Sequence, residues 1–555
     1  EYYSQNLSNL FSLECWGGAT FDTSMRFLKE DPWDRLARLN SKAPNLLKQM
    51  LFRGSNAVGY KNYPDNVVKH FIQQSAATGI DVFRVFDSLN LIDNMRVAID
   101  EVRNQNKLCE GTICYTNDVT DTNEKKYTLK YYLELVKDLE KAGANIIAIK
   151  DMAGLAKPNA IKLLVKEIKN VTNLPIHFHT HDTSGTSSAS VLAAIEEKVD
   201  IVDLAIDSMS GLTSQPALGS VVSIMKQNNH DPHLDEECIR TLSLYWEQVR
   251  QNYQAFETDF KGGSSDVYLH QMPGGQFTNL KEQARSLGIT TDKWGRVANT
   301  YAEVNQLFGD IVKVTPSSKI VGDMALYMIA NDLSKEDILD PKKEISFPES
   351  VIEFFKGEIG IPHGGFPKEL QKKVLGDIKP LTKRPGEILA STDLDKEKIN
   401  LEKELDINVS ENYLASYLMY PKVFKDFINH HKEFSDTSIL STELFFYGPQ
   451  QDKEYTIEMD KGKNLILRYL AKSDVNSNGK CSVFFEINGQ PRTIDIENKE
   501  FSKNISQRAK ADDNNEDHVG SPLPGQIAKI FVQSGNKVIK GDKLLVIEAM
   551  KMETT

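Results

Sequence analysis

Asn145-Ile146-Ile147-Ala148-Ile149-Lys150-Asp151 decides how the first half of this chain folds. Its continuous apolar run implies a strand buried on both faces, as in a parallel sheet covered by helices. Outward from it, short apolar runs recur at residues 11–16, 46–53, 80–88, 111–116, 174–182 and 199–207, with helical patterns between them. Asp65 is placed to cap a helix whose Val67, Val68, Phe71 and Ile72 form one apolar face and which stops at Gly79. Thr128 opens another, carried by Leu129, Tyr132, Leu133, Val136 and Leu139 and stopped at Gly143. Pro158 sits where a first helical turn accepts proline.

Strands alternating with helices leave an open doubly wound sheet or a closed (β/α)8 barrel. No glycine-rich phosphate loop follows an early strand, and polar residues gather at the C-terminal ends of several strands, where barrel enzymes keep their chemistry. The reading is an α/β TIM barrel. Seven strands are counted where a barrel closes with eight, so the first strand is expected upstream of Glu1, which is itself not an initiating methionine.

At 555 residues the chain exceeds one core, and about 150 residues per domain gives several units. A composition 40 % apolar and 26 % charged is that of a soluble globular protein, with no apolar run able to span a bilayer. The net charge of −12 argues against nucleic acid as a partner. Cys15, Cys109, Cys114, Cys238 and Cys481 are scattered without metal-knuckle spacing and read as reduced thiols; with no export leader, a cytoplasmic location is expected.

Two strand ends carry candidate chemistry. In the run from Leu174 to Asp182, alternation places His177, His179 and His181 on one face. His179 and His181, nearer the rim, form the candidate metal pair; His177, deeper in the barrel, reads as structural. Lys150 also ends its strand at the rim. Locally it reads as an exposed strand-end lysine, but burial beside a cation would release the neutral amine, which can add CO2 and become a carboxylate-like ligand.

The segments Trp16-Gly17-Gly18-Ala19-Thr20-Phe21-Asp22, Arg53 to Tyr60, Phe83 to Asn90, Ile149 to Gly154, His179 to Gly185, Ser208 to Pro216, Pro273 to Gln276 and Lys313 to Lys319 follow one another over the first part of the chain. In this order they resemble the carboxyltransferase portion of pyruvate carboxylases. The resemblance implies that Lys150 is a carbamylated metal ligand, with His179 and His181 completing most of the shell of a divalent ion, zinc or manganese. It implies that Arg53 clamps the pyruvate carboxylate, that Asp22, Tyr60 and Ser318 contact the arriving biotin, and that Thr315 shuttles a proton between the pyruvate methyl and the biotin ring. Pyruvate and carboxybiotin would give oxaloacetate. The family's Arg-Asp-Ala-x-Gln segment, with a fourth metal ligand, is not in this sequence; it belongs to the strand expected upstream.

Residues 226–435 are richer in helical patterns, including 235–252, 292–308 and 412–431, with loops at 313–319 and at Pro362-His363-Gly364-Gly365-Phe366. The last resembles an esterase oxyanion loop, but no nucleophile elbow accompanies it and a glycine turn is the better reading. Near residue 440 the period changes to short strands at 444–447, 454–457, 464–469, 482–487 and 492–496. The expected organisation is a barrel at 1–300, a helical funnel at 301–435, a β-rich module at 436–502 that resembles the family's tetramerisation domain, a polar linker at 503–519 and part of a biotinyl domain at 520–555. Fully extended, the linker reaches at most ~55–60 Å, enough for a travelling carrier.

Glu548-Ala549-Met550-Lys551-Met552 matches the target of biotin protein ligases, so Lys551 is the expected attachment point of biotin. The second half of the biotinyl domain is expected to follow the printed chain. By the resemblance, the whole enzyme is a homotetramer with an upstream biotin carboxylase domain using ATP and magnesium. A decarboxylating relative such as an oxaloacetate decarboxylase α subunit, and a biotin carrier and assembly module with an inactive barrel, are the alternatives. The β-rich module favours pyruvate carboxylase over the former.

Overall fold

The computed structural model describes the chain except residues 258–259, 287, 290–293, 477–478, 499–510, 512–516, 521–525, 540–541, 550–551 and 555. Its contacts divide it into two compact units: Glu1–Phe27 with Asp31–Asp426, and Leu28–Glu30 with Phe427–Thr555.

The first unit is built on a parallel sheet of β1 (Ser12–Gly17), β2 (Leu47–Phe52), β3 (Val82–Val85), β4 (Leu108–Cys114), β5 (Ile146–Asp151), β6 (Ile176–Thr180) and β7 (Ile201–Val202), paired in sequence order. Helices return the chain between strands, and the sheet curls as a barrel wall. β5 is buried at every position, as its apolar run requires. β7 is only two residues long where residues 199–207 were expected to be extended; β6 is its one ladder partner among the described residues, and Asp207–Met209 turns into a 3-10 helix.

Local signals placed most helix ends. The side chain of Thr128 caps Leu129–Ala142, which stops at left-handed Gly143, and Pro158 is the first residue of Pro158–Lys169. Asp65 does not cap: Pro64 occupies the N-cap and Asp65 is the first residue of Asp65–Thr78, its carboxylate taken by Arg384 at 2.7 and 2.8 Å. The helix expected at 412–431 is two, Glu411–Met419 and Pro421–Phe434, because a proline drives the residue before it out of the α region, and Tyr420 has φ −140° and ψ 72°. The loop expected at 313–319 ends early, since Ser317–Ala330 is helical.

The second unit holds an antiparallel sheet in the order β11 (Gln490–Glu497), β10 (Lys480–Ile487), β9 (Lys463–Lys472), β8 (Glu454–Asp460). The expected strand at 444–447 is instead the helix Thr442–Tyr447. Ser441 accepts from Leu444 N as its N-cap, Gly448 at φ 74° ends it, and Leu444 packs with Tyr455 and Ile457. A second antiparallel sheet pairs β12 (Gln526–Ile530), β13 (Leu545–Ala549) and β14 (Met552–Thr554). No helix among the described residues is long and apolar enough to cross a membrane.

Candidate active site at the barrel mouth

Register brings the first cluster together. Lys150 at the end of β5 pairs with His179 on β6 and with Cys114 on β4, so the lysine and the imidazole lie side by side on adjacent strands. His179 Nε2 and His181 Nε2 face each other at 3.1 Å. His181 Nδ1 donates to the carbonyl of Thr213 at 2.6 Å, which leaves Nε2 as an acceptor. Burial, reinforced by the nearby Lys150 ammonium, pushes His181 down to about 4 and His179 well below the usual imidazole range. Burial likewise lowers Lys150, toward the neutral amine that can add CO2. Two uncharged imidazoles converging beside a buried amine are a donor set suited to a divalent ion. The exposed strand-end reading of Lys150 is corrected: it is 4 % exposed.

Beneath this pair lies a charged network that sequence reasoning missed. Arg84 on β3 is fully buried and pairs with Glu110, with Glu14 at 2.7 Å and with Asp203 at 2.6 Å. His177 bridges Glu110 and Asp203. Its charged neighbours outweigh desolvation and raise it to about 9, so it sits as a cation between two carboxylates. Ligand atoms of Glu14, His179 and Asp203 lie within 4.8 Å of one another. The Arg84 guanidinium already pairs with both carboxylates there, which favours an ion on the Nε2 side. The legible signal was a lone charge inside an apolar strand run, Phe83-Arg84-Val85-Phe86.

A second cluster forms at the ends of β1 and β2. Arg53 is buried, donates through Nη1 to the carbonyls of Val58 at 2.5 Å and Gly59 at 3.3 Å, and stacks its guanidinium 5.4 Å from the Tyr60 ring. An added Cβ on Gly18 would lie 3.5 Å from Arg53 Nη2, which sets the guanidinium against the helix Gly18–Thr23 that carries Asp22. Asp22 is buried and pairs with Arg26 at 3.1 Å. Tyr420, also missed, donates to Val58 O at 2.5 Å; desolvation raises its phenol far above the usual range, with Arg53 opposing and Tyr60 and Asp22 adding. It comes from a helix end with no sequence motif to mark it.

Thr315 is on the segment just before the helix Ser317–Ala330. Lys313 Nζ reaches Thr116 Oγ1 at 3.3 Å beyond β4, and Ser317 Oγ reaches Ser88 O at 3.3 Å beyond β3, so this segment lies over the C-terminal strand ends. Ser318 is fully buried and its Oγ has no hydrogen-bond partner, which suits a group that serves a ligand. The aspartate that ends β5 does other work: Asp151 holds the following loop by accepting from Leu155 N and Ala156 N, and accepts from Thr180 Oγ1 on β6. A cavity of about 320 Å³ lined by Phe260, Phe277, Trp294 and His270 borders His181 through Thr183 and Thr213. Ala549 pairs with Met552, while Lys551, the expected biotin site, lies outside the described residues.

A parallel barrel with its polar clusters at the C-terminal strand ends defines a TIM-barrel protein with its chemistry at the mouth. Residues 68–244 match the family described as "HMGL-like", 267–468 the "Conserved carboxylase domain" and 517–555 the "Biotin-requiring enzyme" domain. The pyruvate carboxylase of Bacillus subtilis is 47 % identical over 546 residues, 98 % of this chain and 48 % of that protein; that of Staphylococcus aureus is 48 % identical over 548 residues, 98 % and 47 %. The carboxyl transferase domain of Rhizobium etli pyruvate carboxylase, solved with pyruvate and biocytin, is 57 % identical with a TM-score of 0.87 over 89 % of this chain and 83 % of that one. The complete multifunctional enzyme from Rhizobium etli gives 0.88 over 90 % of this chain and 49 % of that one. The chain belongs to the pyruvate carboxylase family, as its carboxyl transferase part, and it spans about half the length of the curated relatives it matches.

Proposed function

We propose that this chain transfers a carboxyl group from biotin to pyruvate, forming oxaloacetate. The observation that carries the reading is the pair of facing Nε2 atoms, 3.1 Å apart, beside a lysine in register with one of them. Lys150 as its carbamate, His179 and His181 would hold the divalent ion, and Lys551 would carry the biotin. Bound metal supplies Lewis-acid polarisation of the pyruvate carbonyl, and biotin supplies the carboxyl group.

The chain's own residues do the rest. Arg53, rigidly held by two carbonyls and the Tyr60 ring, binds the pyruvate carboxylate. Asp22, Tyr60 and the unpartnered Ser318 Oγ hold the biotin ring. Thr315 Oγ1 would take the proton released by the pyruvate methyl and give its own to the biotin ring nitrogen that the carboxyl group leaves. The methyl carbon then bonds to the released CO2, and proximity in the mouth favours capture over escape.

In the whole protein, carboxylation of biotin with ATP and magnesium would take place on an upstream domain, and a biotin protein ligase would load Lys551. Homotetramer formation is supported by Ile466, Phe484, Ile494 and Ile496, which the β8–β11 sheet exposes. A cytoplasmic setting is supported by five cysteines without a disulfide. The test is His179→Ala: bound divalent metal, read by elemental analysis, and oxaloacetate formation should fall together. Unchanged metal content overturns the ligand assignment.

A further inference from the structure

Asp203 follows β7, is 17 % exposed in its side chain, and has no part in the reaction proposed above. Its Oδ2 lies 2.7 Å from His179 Nδ1, and its Oδ1 lies 2.8 Å from His177 Nε2. Arg84 Nη1 is also 3.0 Å from His179 Nδ1, so the proton on that nitrogen could be read either way. Donor counting decides it. A guanidinium Nη1 carries two hydrogens. One is directed to Glu14 Oε2 at 2.7 Å and the other to Asp203 Oδ2 at 2.6 Å. Neither is left for His179, whose Nδ1 must itself be the donor, with Asp203 Oδ2 as acceptor.

We propose that Asp203 is a positioning residue that keeps the proton of His179 on Nδ1, so that Nε2 presents its lone pair to a divalent cation shared with His181. The proposal rests on the metal-site reading given above and deepens it. Thr213 O does the same for His181 from another direction, so the two rings are set independently and their lone pairs converge. Were Nδ1 of His179 bare, its Nε2 would carry a hydrogen pointed at His181, and the pair would bond to itself instead of to a cation. Asp203 is itself held by Arg84 and by His177, whose other nitrogen meets Glu110, which fixes the carboxylate before any ion arrives.

The experiment uses the whole chain. Heteronuclear NMR of the ring nitrogens in metal-free protein should show His179 protonated at Nδ1, and a proton on Nε2 overturns the proposal without any variant. Titration with manganese or zinc should then show Asp203→Ala binding ~10–100-fold more weakly than the parent, the usual cost of losing an outer partner. Asp203→Asn keeps an oxygen that can accept from Nδ1 and should retain most of the affinity; equal loss in both variants, or in neither, overturns the proposal. If the parent binds no metal, the carboxyl-transfer reading fails while the tautomer measurement still decides the role of Asp203.

Discussion

Lys313 carries the segment beneath Thr315, and it does so at a pH-dependent cost. Desolvation pushes its ammonium down to about 8 from 10.5, with Asp310 opposing, while Nζ donates to Ile311 O at 2.9 Å. Between those values the unfolded chain binds a proton that the folded chain has released, so stability rises with pH there. The full effect is on the order of 3 kcal/mol. The melting temperature of the parent relative to Lys313→Met should therefore climb from pH 8 to pH 10; a flat or falling difference rejects the buried-lysine account. Two residues on, Thr315→Ala should lower oxaloacetate formation by ~10²–10⁴, with Thr315→Ser retaining most of it, if the hydroxyl carries the proton as proposed. Equal rates in the two variants would remove that role. At this scale the sequence showed His179 and His181, since alternation along one strand places them on one face, whereas Lys150 was marked by the family resemblance and not by its local pattern. It hid Asp203 and Tyr420, because their partners lie on strands and loops far away in sequence and only the folded chain joins them.

Among elements, β1 shows where backbone geometry sets the site. Its ladder with β2 shifts between Glu14 and Trp16, and Gly17 follows at φ +84° with an added Cβ 2.4 Å from Leu51 O. Gly185 has φ +76° but would meet only Gly263 Cα, at 3.8 Å. An alanine at either position is strained by about 1–2 kcal/mol. Gly17→Ala adds a backbone collision at the strand beside Arg53, so its melting temperature should fall well below that of Gly185→Ala. Equal losses would mean that φ strain alone matters. Element type was legible wherever the apolar period was long, as in β5 and in Leu129–Ala142. It failed at Leu444-Phe445-Phe446-Tyr447, where a short aromatic run fits strand or helix and the Ser441 cap decides. Ser441→Ala should cost about 1 kcal/mol and speed amide exchange in that helix, while leaving carboxyl transfer unchanged.

For the whole molecule, the barrel mouth and the proposed biotin site belong to different units of the chain. The stretch between them, residues 503–519, is polar and charged, the composition of a solvated tether. Under the proposed function, chemistry at the mouth would depend on the biotin ring and on Asp22, Tyr60, Ser318 and Thr315, whereas a tether would set only how often the ring is there. Short flexible links supply effective concentrations of about millimolar order. Lys551→Arg should therefore abolish labelling by a biotin protein ligase and stop ATP-driven pyruvate carboxylation in the full-length enzyme. Decarboxylation of oxaloacetate should persist when free biotin is added at millimolar order, because the reverse reaction needs an acceptor ring but no covalent link. Retained ATP-driven carboxylation in Lys551→Arg would place the biotin elsewhere. Loss of the free-biotin reaction in that variant, with the parent still active, would mean that the lysine or its domain takes part in the chemistry at the mouth.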